Sequence, residues 1–95
     1  MQARYNQLMA QGSLSLADAL LVGGLIEETD IQDLQASLAE TQQANIRLVY
    51  QHLLAGSSSH LRAFAARYEQ FTGMTYQSQV LDQAAFDAIM SGISG

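Results

Sequence analysis

The sequence predicts an all-α protein whose two long helices fold back on each other as an antiparallel hairpin. Three observations predict it. Pro is absent from the 95 residues and good helix formers dominate. Two stretches, 15–40 and 43–72, carry apolar residues at alternating steps of three and four, the period of a helix packed along one side. Between them lies a short polar turn around Thr41 to Ala44, and a turn that short makes neighbouring helices antiparallel.

Residues 2–11 read as a short lead-in helix with Tyr5, Leu8 and Met9 on one face and Gly12 as its stop. Ser15-Leu16-Ala17-Asp18 then reads as a capping box, with the hydroxyl accepting from a free amide and Asp18 in the positive first turn. It opens the first long helix, over 15–40, whose seam is Leu20, Gly24, Glu27, Ile31, Leu34 and Leu38. The second, over 43–72, has the seam Ile46, Tyr50, Leu53, Ser57, His60, Phe64 and Phe71. Gly73 ends it, Met74 to Val80 read as an extended loop, and Asp82 caps a last short helix over 82–91. Within the second helix Gly56 followed by three Ser reads, on propensity, as a break with a fresh N-cap.

A chain this short is one domain and buries a limited share of its surface. Its 48% hydrophobic and 14% charged residues are a high apolar load for so small a body, so self-association into a homodimer or higher oligomer is expected. Net charge is −5, with four Arg and no Lys, which disfavours nucleic acid and anionic membrane surfaces as partners. The longest apolar run, Ala19 to Ile26, is too short to span a bilayer, and Met1 to Ala10 lacks the apolar core of a signal peptide. A soluble chain is expected, and the sequence points to no compartment. Zero Cys excludes disulfides and thiolate metal sites.

With the turn centred near Gln42 and Gln43, Glu27 comes level with Ser57 to His60, so the polar interruptions of the two seams meet. Asp30 follows Glu27 by three positions, roughly 60° around the helix. Glu27, Asp30 and His60 are thus the candidate metal ligands, because buried carboxylates call for a compensating cation and imidazole is the usual nitrogen ligand. The competing reading is a hydrogen bond that Glu27 accepts from His60 or Tyr50 across the hairpin, a polar pair that sets register in a metal-free association module. Glu28 and Asp33 read as exposed, and His52, roughly 80° from His60, as solvent-facing. Gly23, Gly24 and Gly56 each cost about 1 kcal/mol against Ala in a helix interior, and this pairing sets Gly24 opposite His60 and Gly56 opposite Glu27.

Two motifs carry a family resemblance: Ala19-Leu20-Leu21-Val22-Gly23-Gly24-Leu25-Ile26-Glu27-Glu28-Thr29-Asp30-Ile31-Gln32-Asp33-Leu34, then Val49-Tyr50-Gln51-His52-Leu53-Leu54-Ala55-Gly56-Ser57-Ser58-Ser59-His60-Leu61-Arg62-Ala63-Phe64. In this order and spacing they resemble the C-terminal half of the ferritin-like domain family DUF2202. The resemblance implies half of a ferritin-like four-helix bundle, completed by self-association, with the helix unbroken through Ala55–Ser59. It also implies metal chemistry, since such bundles hold two ions with a Glu and a Glu-x-x-His from each helix pair. By position Glu27 matches the lone Glu and His60 the His, while Ser57 stands where the bridging Glu would be and Asp30 is the replacement carboxylate. A divalent ion, iron or manganese, and oxidoreductase or metal-storage activity are what the resemblance implies. The departure at Ser57 favours the metal-free module and Glu27-x-x-Asp30 favours metal, so the first reading is a metal-binding ferritin-like protein and the metal-free association module is the alternative.

Overall fold

The computed structural model describes residues 15–92, and the lead-in helix expected over 2–11 lies outside the described residues. Helix α1 spans Leu16–Glu40, α2 Ala44–Thr72 and α3 Gln83–Met90, and no strand occurs among the described residues. The chain is all-α, with α1 and α2 packed as a hairpin.

Local chemistry sets the helix ends. Ser15 is extended (φ −153°, ψ 129°) and its hydroxyl accepts from the Asp18 amide at 3.3 Å, the N-cap that the sequence announces. Ser15→Ala is expected to cost about 1 kcal/mol in urea unfolding, the usual worth of such a cap. At the hairpin turn the Arg47 guanidinium reaches back from α2 and donates to the carbonyls of Leu38 and Thr41. It satisfies orphan acceptors at the C-terminal end of α1 and fixes the angle of the turn. Gly73 closes α2 in the left-handed conformation (φ 73°) with its N–H on the Glu69 carbonyl, a geometry that favours Gly. Asp82 accepts from the Ala85 amide at 2.8 Å and starts α3.

Helix α2 runs unbroken through Ala55–Ser59. Propensity reads a break there, and packing overrides it: Ser58 and Leu61 are buried on the inner face, so continuing the helix seals the core.

That core joins Leu20 and Ile31 of α1 to Leu61, Ala65 and Tyr68 of α2 and to Tyr76, Leu81, Phe86 and Ile89 of the C-terminal segment. The loop and α3 therefore fold back over one side of the hairpin. Tyr76 anchors them, edge-on to Tyr68 (centroids 5.9 Å, planes at 86°) and stacked on Phe86 (5.7 Å, 18°). Arg62 donates to the Ile89 carbonyl at 3.1 Å and ties the end of α3 to α2.

No described element covers the opposite side of the hairpin. Leu16, Val49, Leu53 and Phe71 are each more than half exposed, with Ile26 and Ile46 also exposed.

The glycines divide differently from the sequence expectation. Gly24 does not face His60: a Cβ there would lie 2.8 Å from two Tyr76 ring carbons and closer still to its hydroxyl. Gly23 receives the Phe64 ring, with a Cβ falling 2.5–2.9 Å from three of its carbons. Gly56 does not meet Glu27, since a Cβ there would have nothing within 4 Å. The pairing by depth had ignored the segment after α2, which supplies the aromatic that Gly24 accommodates.

Candidate functional site

Two adjacent glutamates on α1 face different surroundings. Glu27 turns toward α2 on the open side of the hairpin, where its Oε2 lies 3.4 Å from His60 Nδ1. The Glu27 side chain is 15% exposed and that of His60 68% exposed. With Ala63, Phe64 and Arg67 they line an open cleft of about 370 Å³. The predicted meeting of the two seam interruptions occurs, but it is a rim and not a dry layer, because none of the described residues lies over His60. Asp30 is exposed one turn beyond Glu27. Among the described residues no three His, Asp or Glu side chains come together as a metal-binding group. His52 is exposed, as its position on a different stripe predicts.

The cleft has a mixed character. Glu27, His60 and Arg67 give it both signs of charge, and the Phe64 ring, seated in the notch left by Gly23, gives it an apolar floor. Apolar groups continue along both helices beyond it, toward Leu16 and Phe71 at one end and Val49 and Leu53 at the other. A surface of this make-up suits macromolecular contact better than a small substrate, which is bound by enclosure.

Glu28, which the sequence reading left exposed, is the most deeply buried charged group described, at 0% exposure. Its Oε1 accepts from the amides of Gln79 (2.9 Å), Val80 (2.9 Å) and Leu81 (3.1 Å), and its Oε2 accepts from the Tyr76 hydroxyl at 2.6 Å and the Gln79 amide at 3.1 Å. The Ser78 hydroxyl lies 3.4 Å from Oε1 and also bonds the Leu81 carbonyl. Around this cradle Gln79 donates to the Leu21 carbonyl (2.8 Å) and Gln32 to that of Val80 (3.0 Å).

Burial alone would raise the Glu28 carboxyl, but the bonds from Tyr76 and from the amides of Val80, Leu81 and Gln79 outweigh it and hold it below its ordinary value. Burial pushes the Tyr76 phenol up, and its bond to the carboxylate pushes it further. Every accepting site of Glu28 is taken by its own chain, so the group locks the loop to α1 and has no capacity left for a ligand.

Glu28 was missed because steps of three and four are interchangeable in a helical seam. Leu20, Gly24, Glu28 and Ile31 are the buried positions of α1, and Glu27 lies beside that line. The signal was present in the sequence: Glu28 falls four residues after Gly24 and three before Ile31, and only an element covering a second side of α1 decides between the two glutamates.

Among the described residues, fold and site together define a two-helix hairpin, closed on one side by its own C-terminal segment and open on the other around a carboxylate–imidazole pair. The family model DUF2202, described as an uncharacterized protein domain, matches residues 1–93, and the chain belongs to that family. It is 36% identical over 87 residues to the uncharacterized protein MJ0754 of Methanocaldococcus jannaschii, a match covering 92% of this chain and 46% of that protein. The crystal structure of hypothetical protein MJ0754 from Methanococcus jannaschii is similar in fold, with a TM-score of 0.84 and 33% identity, over 99% of this chain and 53% of that one. The chain thus spans about half the length of the relative it matches.

Proposed function

We propose that this chain is a helical association module: half of a ferritin-like four-helix bundle whose open face is covered by a second copy, bringing Glu27 and His60 into a closed interior. The observation that carries this reading is the uncovered stripe of large apolar side chains. Leu16 and Ile26 on α1, with Ile46, Val49, Leu53 and Phe71 on α2, lie on either side of the Glu27–His60 pair and leave an apolar cost that a partner surface would remove. The relative also carries about as much chain again as the half that matches, a length that a second copy would equal.

The 3.4 Å separation of Glu27 Oε2 and His60 Nδ1 favours a second reading at the same place. Two donors on one divalent ion with bonds of about 2.1 Å stand roughly 3.0 Å apart at octahedral angles and about 3.4 Å at tetrahedral ones. One chain supplies two donors and so half of a ligand set. Pairing two copies would assemble two Glu27 and two His60, with Asp30 nearby, around a divalent ion such as iron or manganese. A bound ion would supply Lewis-acid or redox chemistry. The chain's own contribution is to hold carboxylate and imidazole on neighbouring helices and to shield them when the face closes.

Metal content and molar mass measured on one purified sample separate the two readings. A dimer whose mass is unchanged by Glu27→Ala, without stoichiometric metal, is the expected result for the module alone. Stoichiometric divalent metal lost in both Glu27→Ala and His60→Ala establishes the second reading. A monomeric mass removes the first.

A further inference from the structure

The cradle around Glu28 is built by the loop, and much of what holds its shape does not involve Glu28. Gln32 donates to the Val80 carbonyl at 3.0 Å, and the Ser78 hydroxyl bonds the Leu81 carbonyl. The Gln79 side-chain amide donates to the Leu21 carbonyl and to the Tyr76 hydroxyl, each at 2.8 Å. The Tyr76 backbone amide donates to Glu69 on α2 at 3.0 Å, and its ring packs on Tyr68 and Phe86. Leu81 is buried in the core. Each residue that donates to the carboxylate is thus fixed by at least one contact of its own.

The donors themselves make an anion receptor. The successive backbone amides of Gln79, Val80 and Leu81 converge with the Tyr76 hydroxyl on one carboxylate, at 2.6–3.1 Å. Successive amides turned toward one point form a concavity that binds anions. None of these bonds comes from a cationic side chain, so the place suits a small, planar monoanion better than a dianion such as sulfate.

We infer that the loop from Tyr76 to Leu81 is a carboxylate receptor in its own right, which Glu28 occupies as a tethered ligand, and that a free small carboxylate takes its place once the tether is cut. The fit identifies formate. The carboxyl carbon of a Glu stands three single bonds from its Cα, up to about 3.9 Å away, which is an ordinary van der Waals separation. Glu28→Gly removes the two intervening carbons and leaves room for formate, whose carbon and two oxygens match the carboxyl group. Glu28→Ala keeps a Cβ roughly 2.5 Å from that carbon position and crowds the ligand. Gln77, Gln79 and Val80 are exposed, so a single layer of loop separates the cradle from water.

The test follows helicity by circular dichroism while sodium formate is titrated at neutral pH into the wild-type, Glu28→Gly and Glu28→Gln chains at one protein concentration. Sodium chloride at equal ionic strength is the reference. Each chain is first brought to the midpoint of its own transition, with urea if it folds unaided and with trimethylamine N-oxide if it does not, so the result does not depend on Glu28→Gly being stable. Formate that binds only the folded chain raises the folding constant by mass action, about tenfold at ten times its dissociation constant. The expected result is such a gain for Glu28→Gly that chloride does not give, and no gain beyond chloride for the wild type and Glu28→Gln, in which the place is filled. Formate that acts no better than chloride on Glu28→Gly, or equally on all three chains, overturns the inference.

Discussion

Glu28→Ala is expected to destabilise the fold by about 3–5 kcal/mol, the cost of stripping a buried charged acceptor from its donors. The substitution leaves the amides of Gln79, Val80 and Leu81 and the Tyr76 hydroxyl without their acceptor, in a place where Glu28 is fully buried. A small domain has a total stability of about 5–15 kcal/mol, so such a loss brings this one close to unfolding. Urea denaturation followed by circular dichroism measures it. A loss under about 1 kcal/mol would mean that the loop is held by its aromatic contacts alone.

The same carboxylate predicts a pH dependence whose sign follows from the direction of its shift. Its folded value lies below its ordinary one, and an unfolded Glu titrates near about 4.3. The unfolded chain therefore takes up the proton first as pH falls. The stabilisation is complete above about pH 4.3 and is lost as pH drops toward and through the folded value. The wild-type unfolding free energy is expected to decline over that acid range. Glu28→Gln, which has no proton to take up, is expected to start less stable and to show a shallower slope.

Gly24→Ala is expected to destabilise by about 1–3 kcal/mol, the range for forcing an extra methyl group into a packed site. At an open helical position the same change would stabilise by about 1 kcal/mol, so the sign itself is diagnostic. The new Cβ would overlap the Tyr76 ring and its hydroxyl, and Tyr76 holds the Glu28 carboxylate while it stacks on Phe86. Displacing it loosens the loop and α3 together. A rise in the thermal midpoint of Gly24→Ala would show that Tyr76 can move aside without cost, and the close packing described above would then have no energetic weight.

These two residues mark the boundary of what the sequence discloses. The hairpin was legible because the two seams are long, repeat at the helical period and are joined by a turn too short for any other arrangement. The caps at Ser15 and Asp82 were legible because capping is local chemistry, decided within a few residues. Glu28 was not, because its burial depends on a loop some fifty residues later that donates mostly backbone amides, and backbone amides leave no compositional trace. The role of Gly24 was hidden for the same reason, since the ring it accommodates belongs to Tyr76 of that loop.

The Glu27–His60 contact followed from counting residues on either side of the turn, and it is found between the two long helices. The exposure of His60 did not follow from that counting. A period identifies which residues share a stripe, but it does not say whether the surface that covers the stripe belongs to the same chain.

Sedimentation equilibrium of the wild-type chain, without added metal and over a range of micromolar concentrations, tests most directly whether a second copy closes the open face. Pairing predicts a mass converging on twice the 10.3 kDa of the chain as concentration rises. A mass that stays at 10.3 kDa across the whole range contradicts it.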